Sequence, residues 1–511
     1  MGFYYLGFDI STQSAKLLVF DYDQRQPLMT LSVNYDRDLP HYQTVDGAIR
    51  HADPRLSESD PQMWLEAVDR LLTAFKASGV DGSKVRAMSV SGQQHGLVCL
   101  DEKGELTRGT AKLWNDGTTA DECRELTLRV GGPEAMRAEV GSLQKPGFTA
   151  AKILHFKKED PAQFARTTTF FLVHNYINFY LTGGVRVMEP GDTSGMALWH
   201  PVRRRFSAKV CAAIDPTLIE KLPRVVSSTE FIGTLAPELA LKYGINPDCR
   251  IDAGSGDNMY GAIGTGNVEP GVVTVSLGTS GTAYAYCDEL PAGLDPEVAP
   301  FCDATGHYLP LVCVANLANG YNQFLKNFGL THEDFERLAG ETEVGAGGRL
   351  LLPWFTGERT PDLPDARPLW LGFSVEDFTP ALMGRALLEG HMLNLYEAYT
   401  RLGQKAGRLR LTGGLARSRL FRQTLADVFA VPVDLVEGEG AALGAALHAA
   451  WIDQGGDLAQ LVQETIVVEN SHQCVPNPHH AEQYLQLKMK YHDLSLQMID
   501  FFNRRSKSDC F

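Results

Sequence analysis

Leu6-Gly7-Phe8-Asp9-Ile10-Ser11-Thr12 near the start of the chain and Ser276-Leu277-Gly278-Thr279-Ser280-Gly281-Thr282 past its middle form a near-repeat. Each stands between apolar, β-branched runs, so each reads as the tight turn of a hairpin rich in backbone N–H groups and hydroxyls. Consecutive amides in such a turn can converge on one phosphate oxygen with no side chain in the way. Two of them point to a nucleotide held between two related halves.

Around these turns the chain has 511 residues, too many for a single core, which predicts two domains with a cleft between them. A hydrophobic fraction of 44% excludes disorder as the dominant state. The formal net charge of -15 argues against general affinity for nucleic acid or an anionic membrane, so an anionic ligand must be met by local donors. Nine scattered cysteines with no CxxC pair suit reduced thiols better than a disulfide framework or a zinc site. Asp9 interrupts the N-terminal apolar stretch before it could serve as a signal core, and no uninterrupted apolar run is long enough to span a bilayer. A cytoplasmic location is the expectation.

Residues 4–19 read as two strands joined by the first turn. Residues 34–61, with several prolines, charges and histidines, read as an exposed excursion. Residues 61–76 carry helical spacing in Trp64, Val68, Leu71, Leu72 and Phe75, and 85–91 read as a buried strand ending at Gly92-Gln93-Gln94-His95-Gly96. Helices are expected over 150–157, 173–181 and 235–243, with a turn and strand over 183–187. A strand over 250–253 leads into Gly254-Ser255-Gly256-Asp257-Asn258 and a small-residue helix from Met259. Thr379 and Pro380 signal the start of a long helix. A strand over 409–412 then ends in Gly413-Gly414, followed by a helix over 418–429, a strand over 431–436 and a helix over 441–451. Mixed elements in this order predict an α/β protein. The tail beyond Asn470 reads as polar helix.

Asp257 is the first candidate for chemistry. A carboxylate just after a strand, flanked by glycines that let a ligand approach, can take a proton from an alcohol. The competing reading makes it the cap of the helix beginning at Met259. Asp9 sits in mid-strand, where Asp is disfavoured, and with Thr12, Gln13 and Lys16 nearby it reads as a Mg²⁺ ligand beside phosphates. Gln94 and His95 offer donors and acceptors to a polyhydroxylated ligand. Trp114-Asn115-Asp116 adds an aromatic platform beside an amide and an acid. Gly438-Glu439-Gly440 through Gly444 imitates a dinucleotide fingerprint but has the wrong spacing, and its small residues read instead as a helix that packs closely on a sheet. No Walker A sequence and no protein-kinase motif set is present.

Eight motifs in order, Gly7 to Ser14, Ser91 to Gly96, Leu113 to Asp116, Pro146-Gly147-Phe148-Thr149-Ala150, Gly256 to Asn258, Ser276 to Gly281, Gly357-Glu358-Arg359-Thr360-Pro361 and Thr412 to Gly414, resemble the FGGY carbohydrate kinases over about residues 4–450. The resemblance implies two ribonuclease H-like domains of the actin, sugar-kinase and heat-shock ATPase type: 1–264 for sugar and catalytic base, 265–470 for ATP, and a helical tail over 471–511. It implies ATP-dependent phosphorylation of D-xylulose at its terminal hydroxyl, with Asp257 as base. It places Gln94, His95, Asn258, Trp114 and Asp116 at the ketose. It places Thr12, Gln13, Lys16, Gly278, Thr279, Ser280, Gly413, Gly414 and Arg417 at ATP, and Asp9 at Mg²⁺. The expected partners are the ketose and ATP, with pairing into a homodimer left open. Pro146 to Ala150 resembles bacterial members of the family and stands where the eukaryotic type is expected to place an arginine in the sugar site, with Gly147 or a neighbour there instead. A kinase for ribulose, a hexulose or a polyol is the near alternative. A non-catalytic nucleotide sensor of the same fold is the distant one, and it would have no need of Asp257.

Overall fold

The computed structural model describes residues 2–507 apart from 437, 439, 467 and 469. Glu439 and Cys510, both part of the sequence readings, lie outside the described residues. The chain forms two compact units. One comprises Met1–Val268, Ala299–Leu309 and Gly438–Ile466, and the other Glu269–Val298, Pro310–Glu437 and Val467–Phe511. Packing therefore follows a different division from chain order, because two late segments join the first unit.

In the first unit β1 (Tyr4–Ile10) and β2 (Ser14–Asp21) form the expected antiparallel hairpin, and β3 (Gln26–Asn34) extends it. On the other side of β1, β4 (Val85–Gly92) lies parallel to it and β6 (Arg250–Asp252) lies parallel to β4. β5 (Phe231–Thr234) closes that edge, and the short β7 (Ser255–Gly256) continues alongside β4. β1 is buried on both faces because each is covered. One face of the sheet meets, over β2 and β3, α1 (Pro61–Ala77), whose spaced residues Trp64, Val68, Leu71, Leu72 and Phe75 are all buried as their period predicts. The other face meets a helix from the far end of the chain.

That helix (Gly440–Gln454) carries the small-residue run, and its backbone touches its neighbours. A Cβ on Gly7 would lie 1.9 Å from the Ala442 carbonyl oxygen, one on Gly444 1.8 Å from that of Tyr260, and one on Gly264 1.7 Å from that of Gly440. Only glycine allows these approaches. The run packs closely on the sheet, as its small residues predict.

The excursion over 34–61 is less exposed than its composition suggests. The Asp36 carboxylate accepts from the Thr44 hydroxyl and the Asp46 backbone, both at 2.7 Å, and folds residues 44–49 into a small hairpin. Gly47 rests so closely on the first turn that a Cβ would lie 1.8 Å from the Thr12 carbonyl oxygen.

The second unit repeats the plan. β8 (Val272–Leu277) and β9 (Gly281–Ala285) form the second hairpin, extended by β10 (Tyr308–Val314). β11 (Arg408–Thr412) runs parallel to β8, β12 (Val433–Leu435) runs parallel to β11, and β13 (Gln473–Cys474) pairs with β12. The order β3-β2-β1-β4-β6 and the order β10-β9-β8-β11-β12 have the same directions throughout. The long helix Pro380–Thr400 starts as its signals predict, with the Thr379 hydroxyl accepting from the Leu382 N–H. The tail helix, Pro478–Lys507, buries Tyr484, Tyr491 and Phe502 in the core of this unit. Among the described residues no helix is long and apolar enough to cross a membrane.

Candidate active site

Strand register assembles the first-unit residues. Asp9 stands opposite Lys16 on β2 and Ser91 on β4, and Ser255 and Gly256 stand opposite Ser91 and Gly92. The C-terminal ends of β1, β4 and β7 are therefore level. The residues that follow them, Ser11 to Gln13, Gln93 to His95 and Asp257 to Asn258, leave from one edge, which is where open α/β sheets bind ligands.

Asp9 is nearly buried and accepts from the Ser91 hydroxyl at 3.1 Å. The Thr12 hydroxyl bonds Gln93 Oε1 at 3.3 Å and accepts from the Trp114 indole at 3.0 Å, so one hydroxyl ties a phosphate candidate to a sugar candidate. Gln13 is exposed and Lys16 half-buried. Among the described residues no group of three or more His, Cys, Asp or Glu could hold a metal. Mg²⁺ needs only one or two carboxylates when waters and phosphate oxygens complete its shell, so Asp9 fits such an ion.

Asp257 is the first residue of the helix Asp257–Thr265, whose cap is Gly256 in extended conformation. The helix expected from Met259 thus begins two residues earlier, and the Asp257 side chain is not its cap. Desolvation at these strand ends pushes the Asp257 carboxyl up to about 8, and the negative charges of Asp9 and Asp192 add to the rise. The Asn258 side-chain amide donates to Gln94 Oε1 at 2.7 Å and to Asp257 Oδ1 at 3.1 Å, which joins three candidates in one chain of bonds.

His95 is a non-glycine residue at φ 65°, buried in a three-ring cluster with Phe148 and Phe301 at centroid distances of 4.8 and 5.8 Å. Burial pushes its imidazole well below the usual range, and the positive charges of Lys152 and Lys145 push the same way, which leaves the ring neutral. Its carbonyl accepts from Lys152 Nζ at 2.8 Å. Asp116 is buried, and its carboxylate is engaged by the Ser57 N–H at 3.0 Å, Lys112 at 3.3 Å and Thr118. Gly147 abuts Trp114, where a Cβ would lie 2.3 Å from the backbone oxygen, so no side chain fits at that position.

In the second unit β8 and β11 end side by side, with Ser276 opposite Thr412. Gly278, Thr279 and Ser280 form the turn after β8, and the carbonyls of Gly278 and Thr279 accept from the N–H groups of Ala318 and Leu317 at 3.1 and 3.2 Å. Gly413, at φ 94°, lies so near the end of β8 that a Cβ would come within 2.7 Å of the Leu277 carbonyl. Gly414 has open space beside it, and Arg417 is exposed. Phosphate and adenosine candidates of this unit thus share one sheet end.

Sequence reading missed Lys152, Phe301 and Asp192. Lys152 had a signal, a lysine on the buried face of an otherwise apolar helical stretch. Phe301 had none, because a remote segment brings it to His95.

A sheet order shared by two units, each with a hydroxyl-bearing hairpin turn and parallel strand ends beside it, defines a two-domain ATPase fold of the actin-like, ribonuclease H-like type. The chain belongs to the FGGY family of carbohydrate kinases. The family's N-terminal domain matches residues 4–264 and its C-terminal domain residues 273–452. It is 35% identical over 498 residues to a xylulose kinase of Haemophilus influenzae, covering 95% of this chain and 98% of that protein. A crystal structure of a xyloylose kinase from Brucella ovis superposes with a TM-score of 0.87 at 27% identity, covering 98% of this chain and all of the other. A gluconate kinase from Lactobacillus acidophilus superposes with a TM-score of 0.88 at 22% identity, covering 99% of this chain and 100% of its own. The fold therefore does not select the sugar.

Proposed function

We propose that the protein transfers the γ-phosphoryl group of ATP to the terminal hydroxyl of D-xylulose, giving D-xylulose 5-phosphate and ADP. The observation that carries this is Asp257, a carboxyl pushed up to about 8 and bonded through Asn258 to Gln94, in a chain 35% identical to a xylulose kinase. A base whose proton affinity is near neutral takes a proton from an alcohol more readily than an ordinary carboxylate does. Asp257 accepts the O5 proton as the oxygen attacks phosphorus. Asn258, Gln94 and the neutral His95 hold the other hydroxyls, with Trp114 as a wall.

The first unit supplies these groups, and the second unit holds ATP. The turn at Gly278 to Ser280 offers backbone N–H groups to phosphate oxygens, Gly413 and Gly414 leave room for adenosine, and Arg417 adds a cation. Thr12, Gln13 and Lys16 donate to the phosphates from the first hairpin. Asp9 would hold Mg²⁺, which when bound neutralises phosphate charge. ATP use, and nine scattered cysteines with no CxxC pair in the sequence, support a cytoplasmic location. Exposed Leu485, Met489 and Leu496 on the tail helix support a homodimer, which sedimentation tests.

Sugar-dependent ADP release from Mg·ATP tests the reading, with D-xylulose, D-ribulose, L-ribulose, D-fructose and glycerol compared and D257A run beside the wild type. Preference for D-xylulose that D257A abolishes supports it. Release that no sugar stimulates contradicts it.

A further inference from the structure

A lysine is almost never fully buried without an anionic partner, because its ammonium loses its hydration. Lys152, in the helix Thr149–Glu159, breaks that rule. It is completely buried, its Nζ donates to the His95 carbonyl at 2.8 Å, and among the described residues it forms no ion pair with a carboxylate. The acids nearest in charge are committed elsewhere, Asp116 to Lys112 at 3.3 Å and Asp192 to His174 at 3.1 Å. Burial pushes the Lys152 amine down to about 7. Such a group costs the fold stability and brings it one hydrogen bond to a carbonyl.

That carbonyl belongs to a strained residue. His95 is held at φ 65°, a conformation that side chains other than glycine avoid. The helix carrying Lys152 grips it at two points, since the Thr149 hydroxyl also reaches the His95 carbonyl at 3.4 Å. Phe148, just before the same helix, packs on the imidazole. A Cβ on Gly195 would lie 2.4 Å from His95 Cε1, so the ring has no slack there. Fixing the carbonyl fixes the peptide plane and with it the Cα–Cβ direction, while Phe148 and Gly195 limit the rotation of the ring.

We propose that Lys152 is a positioning residue for sugar recognition, which aims the His95 imidazole at the ketose through its bond to the His95 carbonyl. This rests on the reading of His95 as a sugar contact. The segment that stands where eukaryotic relatives are expected to carry an arginine then works indirectly. Gly147 packs on Trp114, Phe148 on the imidazole, and Thr149 and Lys152 on the carbonyl.

The test is Lys152→Met, which keeps the length and removes the charge, measured alone and with His95→Ala. Replacing an unpaired buried ion by an apolar side chain of similar size does not lower stability, so the thermal midpoint of K152M is expected at or above that of the wild type. The KM for D-xylulose rises roughly tenfold or more, while the KM for ATP stays within about twofold. In the H95A background K152M adds less than about twofold, because both changes act through one contact. An unchanged ketose KM in K152M overturns the inference. So does a K152M protein that melts early or fails to fold, or a loss that multiplies with that of H95A. A wild type that phosphorylates no ketose, or an H95A protein with normal ketose KM, overturns the underlying reading and this inference with it. Activity that H95A impairs and K152M leaves alone overturns the inference only.

Discussion

At Asp257 the environment that suits the residue to proton transfer also works against the fold. Its carboxyl is pushed up to about 8, whereas in the unfolded chain it titrates near about 4. A base acts only when deprotonated, so kcat/KM for D-xylulose is expected to climb with pH and reach half its plateau near about 8. A profile flat from mildly acidic to alkaline pH would contradict this. The sign for stability is opposite. The folded protein keeps a proton that the unfolded chain has already lost, so this contribution is full below the unfolded value and gone once pH exceeds the folded one. Asp257→Asn cannot ionise, and calorimetry at pH above that folded value is expected to show it melting above the wild type. The same variant loses roughly 100- to 10,000-fold in turnover. Asp257, Gln94 and Asn258 were legible in sequence because polar residues at a strand end, next to glycines, are unusual. Their bonding to one another was not, since it depends on strand register.

The two hairpins and the strands beside them were legible as elements, because their apolar, β-branched runs are bounded by turn residues. The start of the helix at Asp257 was not. Extended Gly256 takes the cap position without a capping side chain, and sequence offers no mark for that. The small-residue run over 440–446 announced close packing but not its partners, which are β1 and the helix Asp257–Thr265. Its consequence is a steric prediction. In Gly444→Ala the new methyl would lie 1.8 Å from the Tyr260 carbonyl oxygen, against backbone that cannot swing aside. Overpacking of this kind costs about 1–3 kcal/mol or more, and urea unfolding is expected to show at least that loss. A midpoint equal to the wild type would contradict the close approach.

Across the whole molecule, sequence conveyed two related halves, and the shared strand order realises them. It did not convey that 299–309 and 438–466 pack with the first half, since chain order carries no information about which sheet face a late helix covers. Nor did it give the tail helix a role. That helix is a brace of the second unit, where the Tyr484 hydroxyl donates to Glu389 at 2.9 Å and accepts from Arg385 at 2.8 Å, all three buried. Tyr484→Phe leaves that pair short of a partner and is expected to destabilise by about 1–3 kcal/mol in denaturant unfolding, with the KM for D-xylulose unchanged.

Phosphorylation of D-xylulose at O5 with Asp257 as base leaves a distinct signature in the product. Two-dimensional proton–phosphorus NMR of the product from Mg·ATP and D-xylulose tests it most directly, with wild type and Asp257→Ala compared. The expected product is a phosphomonoester correlated to the C5 protons, equal in amount to the ADP formed by the wild type and almost absent with the variant. A phosphate on C1, an undiminished ester from the variant, or ADP without any sugar ester would contradict it.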